Sequence, residues 1–183
     1  MKTRKTKNKT TELQRRKASE LSKIYTRSFL LAFIITAGAC ALAYHLIYNW
    51  TESLPLGFYW LERDVEPARG ELVAFPIPDD VRQLVHERRY VPDGAYLVKP
   101  VVGLPGDRVC SDGGVFTVND EVIGRVLTED RAGRPLPHPD VCKMVGQGEI
   151  YVASKNPRSF DSRTFGSVSR CAIRGRVTAL WTF

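Results

Sequence analysis

Asn49-Trp50-Thr51-Glu52-Ser53-Leu54-Pro55-Leu56-Gly57 and Tyr96-Leu97-Val98-Lys99-Pro100-Val101-Val102-Gly103-Leu104-Pro105-Gly106-Asp107 hold two residue types whose pairing could do chemistry. The first places a serine in a short polar stretch just past an apolar segment, and the second sets one lysine in an apolar, strand-like run. Burying an unpaired ammonium is strongly unfavourable, and desolvation favours the neutral amine by lowering its pKa. Bringing a lysine from about 10.4 to about 7 takes roughly 4 to 5 kcal/mol, at about 1.4 kcal/mol per unit. A neutral lysine can then accept the proton of a serine hydroxyl, which is otherwise a weak nucleophile. The competing reading is an edge-strand lysine whose stem lies on the sheet while its ammonium reaches water. From the strand alone that is the commoner fate; the nearby serine and the Gly103-Leu104-Pro105-Gly106-Asp107 turn favour the pair.

The elements that must position these residues read mostly at period two. Phe58 to Leu61, Glu71 to Phe75, Ala95 to Val102, Arg108-Val109, Val115 to Val118, Glu121 to Ile123, Glu149 to Ala153 and Ile173 to Trp181 are bounded by glycine, proline or aspartate and predict strands. Asp79 to Arg88, apolar at 81, 84 and 85, predicts a short surface helix capped by its aspartates. Residues 110–148 are rich in turns and read as a subdomain inserted between strands of a mainly β domain. The strands Glu71 to Pro76 and Tyr96 to Lys99 are expected to flank a substrate that adds to their edges as an extended strand.

Upstream, 28–48 is the candidate transmembrane segment: Phe29 to Tyr44 carries no charge, and with its ends the segment reaches about the 20 residues a spanning helix needs. A cleavable signal peptide is the rival, disfavoured by the length of the apolar run and of the basic region before it. Residues 1–27 hold ten lysines and arginines against Glu12 and Glu20, so this tail carries more positive charge than the chain's net +7. Positive charge beside a span favours the cytoplasmic side and anionic lipid, which puts residues 49–183 outside. The tail could bind phosphate without sequence preference, but no specific nucleic-acid partner is indicated. There is no Cys-x-x-Cys or His/Cys cluster, so no metal or other cofactor is expected. A Ser/His/Asp triad finds no support in the contexts of His45, His86 and His138.

Lys99-Pro100-Val101-Val102-Gly103-Leu104-Pro105-Gly106-Asp107-Arg108-Val109 closely resembles the lysine box of bacterial type I signal peptidases. Ser159-Phe160-Asp161-Ser162-Arg163-Thr164-Phe165-Gly166 resembles their C-terminal serine/aspartate/arginine box. The serine segment, Ser53-Leu54-Pro55-Leu56-Gly57-Phe58-Tyr59, has instead the Ser-x-Pro-x-Gly-x-Tyr form of the TraF-type peptidases of conjugative transfer, and the resemblance to that branch covers about residues 49–183. It implies a signal peptidase-like catalytic β-domain with a small inserted subdomain, behind one N-terminal transmembrane helix. It also implies a serine endopeptidase in which Ser53 attacks and Lys99 is the base.

By the same resemblance Thr51 supplies a hydroxyl that helps the Ser53 N–H stabilise the oxyanion, although a threonine bound to its own backbone is as ordinary. Ser159 would hydrogen-bond the Lys99 amine, and Asp161 and Arg163 would pair beside the site, with Asp161 acting either directly or structurally. Ser154-Lys155-Asn156-Pro157-Arg158 departs from the usual Gly-Asp-Asn-Arg. Cys110 and Cys142 fall where such folds carry their insertion and are expected to form a disulfide, with Cys171 buried and free. The implied substrate is a membrane-inserted conjugative pilin precursor, cleaved or closed head to tail through an acyl-enzyme, and the implied partner is the conjugative transfer machinery. Two alternatives stay open: a general type I signal peptidase acting on many pre-proteins, and a non-catalytic membrane-tethered assembly factor.

Overall fold

A computed structural model describes the backbone of residues 2–183 and the side chains from residue 20 onward. The first helix, α1 (Lys2–His45), includes Glu20–His45, which is long and apolar enough to cross a membrane. Its Phe29, Leu31, Phe33 and Ile35 side chains are exposed, which suits a surface that meets lipid. The helix ends at His45. Leu46, Ile47 and Tyr48, read from sequence as the end of the span, belong to strand β1 (Leu46–Asn49), which pairs antiparallel with β2 (Gly57–Glu62). Backbone pairing with β2 and burial of Ile47 beneath it carry these apolar residues into the sheet.

His45–Phe183 form a second compact unit. Its strands continue with β3 (Leu72–Pro76), β4 (Tyr96–Gly103), β5 (Arg108–Asp112), β6 (Val115–Val118), β7 (Glu121–Arg125), β8 (Cys142–Met144), β9 (Glu149–Val152), β10 (Val168–Ser169) and β11 (Gly175–Thr182). A seven-stranded antiparallel sheet runs β1-β2-β11-β3-β4-β9-β10, and a four-stranded one runs β7-β6-β5-β8. The unit is therefore mainly β. One face of the larger sheet buries Val73, Phe75, Leu97, Val101, Ile150 and Val152; the other buries Tyr59, Leu61, Ala74, Val98 and Val177, as a period of two requires.

Three details differ from the sequence reading. Helix α2 (Asp79–Arg88) is more than a surface helix, because Val81 and Val85 pack into the larger core; its N-cap is Pro78, and no side chain caps it. Strand β3 is paired along its length by β4 and over Leu72–Ala74 by β11, so it cannot take up a substrate strand there. Tyr96–Lys99 of β4 has no strand partner on the side away from β3, since β9 joins β4 from Val101 onward.

In the smaller sheet, Val109, Phe116 and Val118 form an apolar core that includes Val145 and Tyr151. Cys110 and Cys142 stand opposite each other on β5 and β8 and are joined by a disulfide. Cys171 is free but exposed, because it sits on a single 3-10 turn, Arg170–Ala172, none of whose residues is buried.

Candidate active site

Ser53 lies in the connection between β1 and β2, and Asn49 organises that connection. The Asn49 side chain is fully buried. Its Nδ2 donates to the carbonyls of Thr51 (3.0 Å), Leu54 (3.3 Å) and Pro55 (3.1 Å), while its Oδ1 accepts from Thr51 N (3.2 Å) and Thr51 Oγ1 (3.0 Å). The three carbonyls decide which end of the amide is which. Tyr59, 1% exposed, donates its hydroxyl to the Pro55 carbonyl at 2.9 Å. Gly57, at φ +138°, leaves no room for a side chain: a Cβ there would strike the Trp181 carbonyl and stand 2.8 Å from Thr182 Cα on β11. The glycine and tyrosine of Ser-x-Pro-x-Gly-x-Tyr thus shape the serine loop.

Lys99 projects from β4 on the same face as Leu97 and Val101 and is only 1% exposed. A lysine stretched along an edge to reach water is excluded by that burial. The amine donates to Ser53 Oγ and to Thr51 Oγ1, the latter at 3.3 Å. Among the described residues no carboxylate hydrogen-bonds it. Burial lowers its pKa to about 8, with Arg163 pushing the same way and Asp161 opposing. Much of the amine is therefore available in its neutral form at mildly alkaline pH.

The C-terminal segment grips the serine loop through residues the sequence reading passed over. Ser154 Oγ donates to the Ser53 carbonyl at 2.6 Å, and Asn156 Nδ2 donates to the Glu52 carbonyl at 3.3 Å. Asp161 and Arg163 form an ion pair at 2.7 Å, with side chains 0% and 3% exposed. Arg163 NH2 also donates to the carbonyls of Ser154 (3.1 Å) and Asn156 (2.8 Å), and Asp161 Oδ2 accepts from Ser154 N (3.1 Å). Asp161 further accepts from Arg163 N as the N-cap of the short helix α3 (Ser162–Phe165). The pair thereby fixes the 154–156 loop that fixes Ser53. Ser159 does not make the expected bond to Lys99. Among the described residues its hydroxyl finds no hydrogen-bond partner: the segment is tied down by Ser159 N to the Asn156 carbonyl (3.1 Å), and the Lys99 amine is turned to the serine loop.

Ser53 and Lys99 open onto a cavity of about 390 Å³, with apolar walls from Val85, Leu97, Leu136 and Phe160. Part of its rim is an irregular strap after β7, anchored by Asp130. That carboxylate, 9% exposed, accepts from Tyr90 Oη (2.6 Å), Arg88 NH1 (3.2 Å) and Arg134 Nε (2.7 Å). The Tyr90 hydroxyl first, then the backbone and Arg134, hold its pKa well below the usual carboxylate range. Arg131 on the same strap reaches Glu52, next to Ser53, at 3.3 Å. None of the three histidines lines this cavity.

Sequence comparison gives this mainly β domain with its apolar N-terminal helix a class, that of the signal peptidases. The family described as signal peptidase, peptidase S26, matches residues 18–182, and the chain belongs to it. Within that family its relatives include two Plasmid transfer proteins TraF of Escherichia coli. One is 33% identical over 154 residues (78% of this chain, 85% of the relative), the other 30% over 168 (83% and 90%). A Conjugal transfer protein TraF of Agrobacterium fabrum is 30% identical over 144 residues, covering 74% of this chain and 81% of that one. Among solved structures, a signal peptidase I from Enterococcus faecalis V583 aligns with a TM-score of 0.39 at 23% identity, covering 62% of this chain and 98% of that one. Family and relatives together support a peptidase-like role in conjugation, and the N-terminal helix fits a single-pass membrane protein.

Proposed function

We propose that this chain is a membrane-anchored serine endopeptidase that processes a conjugative pilin precursor with Ser53 as nucleophile and Lys99 as general base. The observation that carries the proposal is the contact between the Lys99 amine and the Ser53 hydroxyl, made by a lysine 1% exposed. In the reaction, Ser53 Oγ attacks the scissile carbonyl carbon while its proton passes to neutral Lys99. The tetrahedral intermediate then collapses, the C–N bond breaks, and Lys99 returns the proton to the leaving amine. The product is an ester between the substrate acyl group and Ser53.

Two nucleophiles can resolve that ester. Water gives a linear product and free Ser53; the precursor's own N-terminal amine gives a cyclic product by forming a new amide. The TraF relatives and the Ser-x-Pro-x-Gly-x-Tyr form of the loop favour a conjugative substrate over the broad repertoire of a general signal peptidase. The basic tail favours a cytoplasmic N-terminus held near anionic lipid and a periplasmic catalytic unit. Residues 1–27 then serve as tail, the apolar helix that ends at His45 as anchor, and the unit that begins there as catalytic domain, with 110–148 as the insertion.

Mass spectrometry of a co-expressed pilin precursor tests the reading, using wild type, Ser53→Ala and Lys99→Ala. A product one water lighter than the linear form, absent with both variants, establishes cyclisation; a linear product lost with both establishes hydrolysis. Processing that persists with either variant overturns the dyad. A chain that acts only as an assembly scaffold would leave the precursor intact even as wild type.

A further inference from the structure

The hydrogen-bond directions around Ser53 are fixed from one end. Asn49 Oδ1 can only accept, and its identity as oxygen is set by the three carbonyls on Nδ2. The Thr51 hydroxyl therefore gives its single proton to Asn49 Oδ1, at 3.0 Å. What Thr51 Oγ1 has left are lone pairs, and these face Ser53 Oγ at 2.9 Å and Lys99 Nζ at 3.3 Å.

We propose that Asn49 and Thr51 are positioning residues that hold the Lys99 amine and direct the Ser53 proton, a role distinct from donating to the oxyanion. The inference rests on the Ser53/Lys99 reading and adds the direction of the proton to it. While Lys99 is an ammonium, its N–H groups occupy Ser53 Oγ and Thr51 Oγ1, and the Ser53 proton turns to the Thr51 lone pair. Once Lys99 loses a proton, its own lone pair becomes the better acceptor, and the Ser53 O–H swings to it while one remaining N–H stays on Thr51. Thr51 thus aims the amine in both states, and Asn49 keeps Thr51 from turning its proton toward Ser53 or Lys99. An oxyanion donor at Thr51 would first have to break the bond to Asn49.

The charged groups sharing the cavity with Lys99 are Glu52 of the serine loop, Glu129, Asp130, Arg131 and Arg134 of the strap, and Arg158, with Asp161 and Arg163 acting on Lys99 through space. None of them hydrogen-bonds the side chain of Asn49 or Thr51, and Thr51→Val leaves the Asn49 bonds to the loop carbonyls of Leu54 and Pro55 untouched.

The test follows acylation of Ser53 in the full-length, detergent-solubilised protein by an alanyl-alanine p-nitrophenyl ester, from pH 6 to 10, with intact-protein mass spectrometry to locate the adduct. Thr51→Val is expected to acylate about tenfold more slowly or worse, and Thr51→Ser to restore the rate to within about threefold of wild type. Loss of an acceptor that favours the ammonium moves the rising pH limb of Thr51→Val downward by about half a unit or more. Asn49→Ala moves it the same way, because a freed Thr51 proton can bond the neutral amine. A Thr51→Val protein that is slow but keeps the wild-type limb is an oxyanion donor and overturns the inference. So does an unmoved limb in Asn49→Ala. If Ser53→Ala or Lys99→Ala still forms the adduct at the wild-type rate, it is the underlying dyad that fails.

Discussion

Around the serine loop the protein buries Asn49, Lys99, Ser154, Asp161, Arg163 and Thr164, whereas the smaller sheet buries Val109, Phe116 and Val118 and is tied by Cys110–Cys142, with Ser111 its only buried polar strand residue. Both regions are folded parts of one antiparallel unit, yet their interiors obey opposite rules. Apolar packing and a cross-link stabilise by removing surface from water and by restricting the unfolded chain. Buried polar groups cost free energy unless each finds a partner, and they pass any loss on to their neighbours. The difference bears on the proposed chemistry: the region that is expensive to fold is the one arranged about Ser53.

Breaking the polar region should do the greatest damage. Arg163→Ala strands the Asp161 carboxylate in the interior and is expected to destabilise the domain by about 3 to 5 kcal/mol, measured by denaturant unfolding, and to release the 154–156 loop that holds Ser53. In the other region, Cys110→Ser with Cys142→Ser opens a loop whose ends are 32 residues apart. About 3 to 4 kcal/mol should be lost on the chain-entropy account, while acylation of Ser53 in the protein that remains folded is little changed. If the disulfide variant loses chemistry as readily as Arg163→Ala, the two regions are not distinct in the way described.

Lys99 sharpens the contrast through pH. Its folded pKa, about 8, lies below the ordinary 10.5, so the unfolded chain binds more protons between these values. Stability should therefore rise with pH from about 8 to 10.5, where the folded amine is already neutral, and the cost of the buried ammonium is felt fully below 8. Lys99→Met removes that cost and is expected to be more stable at pH 7, by on the order of 3 kcal/mol, with no such rise at alkaline pH. Thermal unfolding of both proteins across that range provides the check. A smaller effect is expected at the strap: Asp130→Asn weakens the hold of Tyr90, Arg88 and Arg134 on the cavity rim and should raise KM by about 3- to 10-fold with kcat changed less.

Lys99 stood out as a charged residue in an apolar strand, but only the nearby serine, the Gly103–Asp107 turn and the resemblance joined it to Ser53 as a pair, while period two gave most of the strands. Asn49 gave no such signal, although it stands four residues from Ser53: its value lies in which carbonyls its amide reaches, and composition carries no trace of that. Ser154 and Asn156 were hidden for a related reason, since the chain must fold back across a hundred residues before they meet the serine loop. Strand β1 was invisible because Leu46-Ile47-Tyr48 continues an apolar run without a break, and only pairing with β2 separates sheet from span. Ser159 was read as a hydrogen-bond partner of the lysine, but the direction of its hydroxyl depends on a turn held by Asn156.

Whether a buried, neutral Lys99 activates Ser53 is decided by the pH dependence of Ser53 acylation in wild type and in Lys99→Ala. A working pair gives an adduct on Ser53 that forms faster as pH rises through about 8 in the wild type and is lost, with its pH limb, in Lys99→Ala. Equal acylation of the two proteins, with the same pH profile, would contradict it.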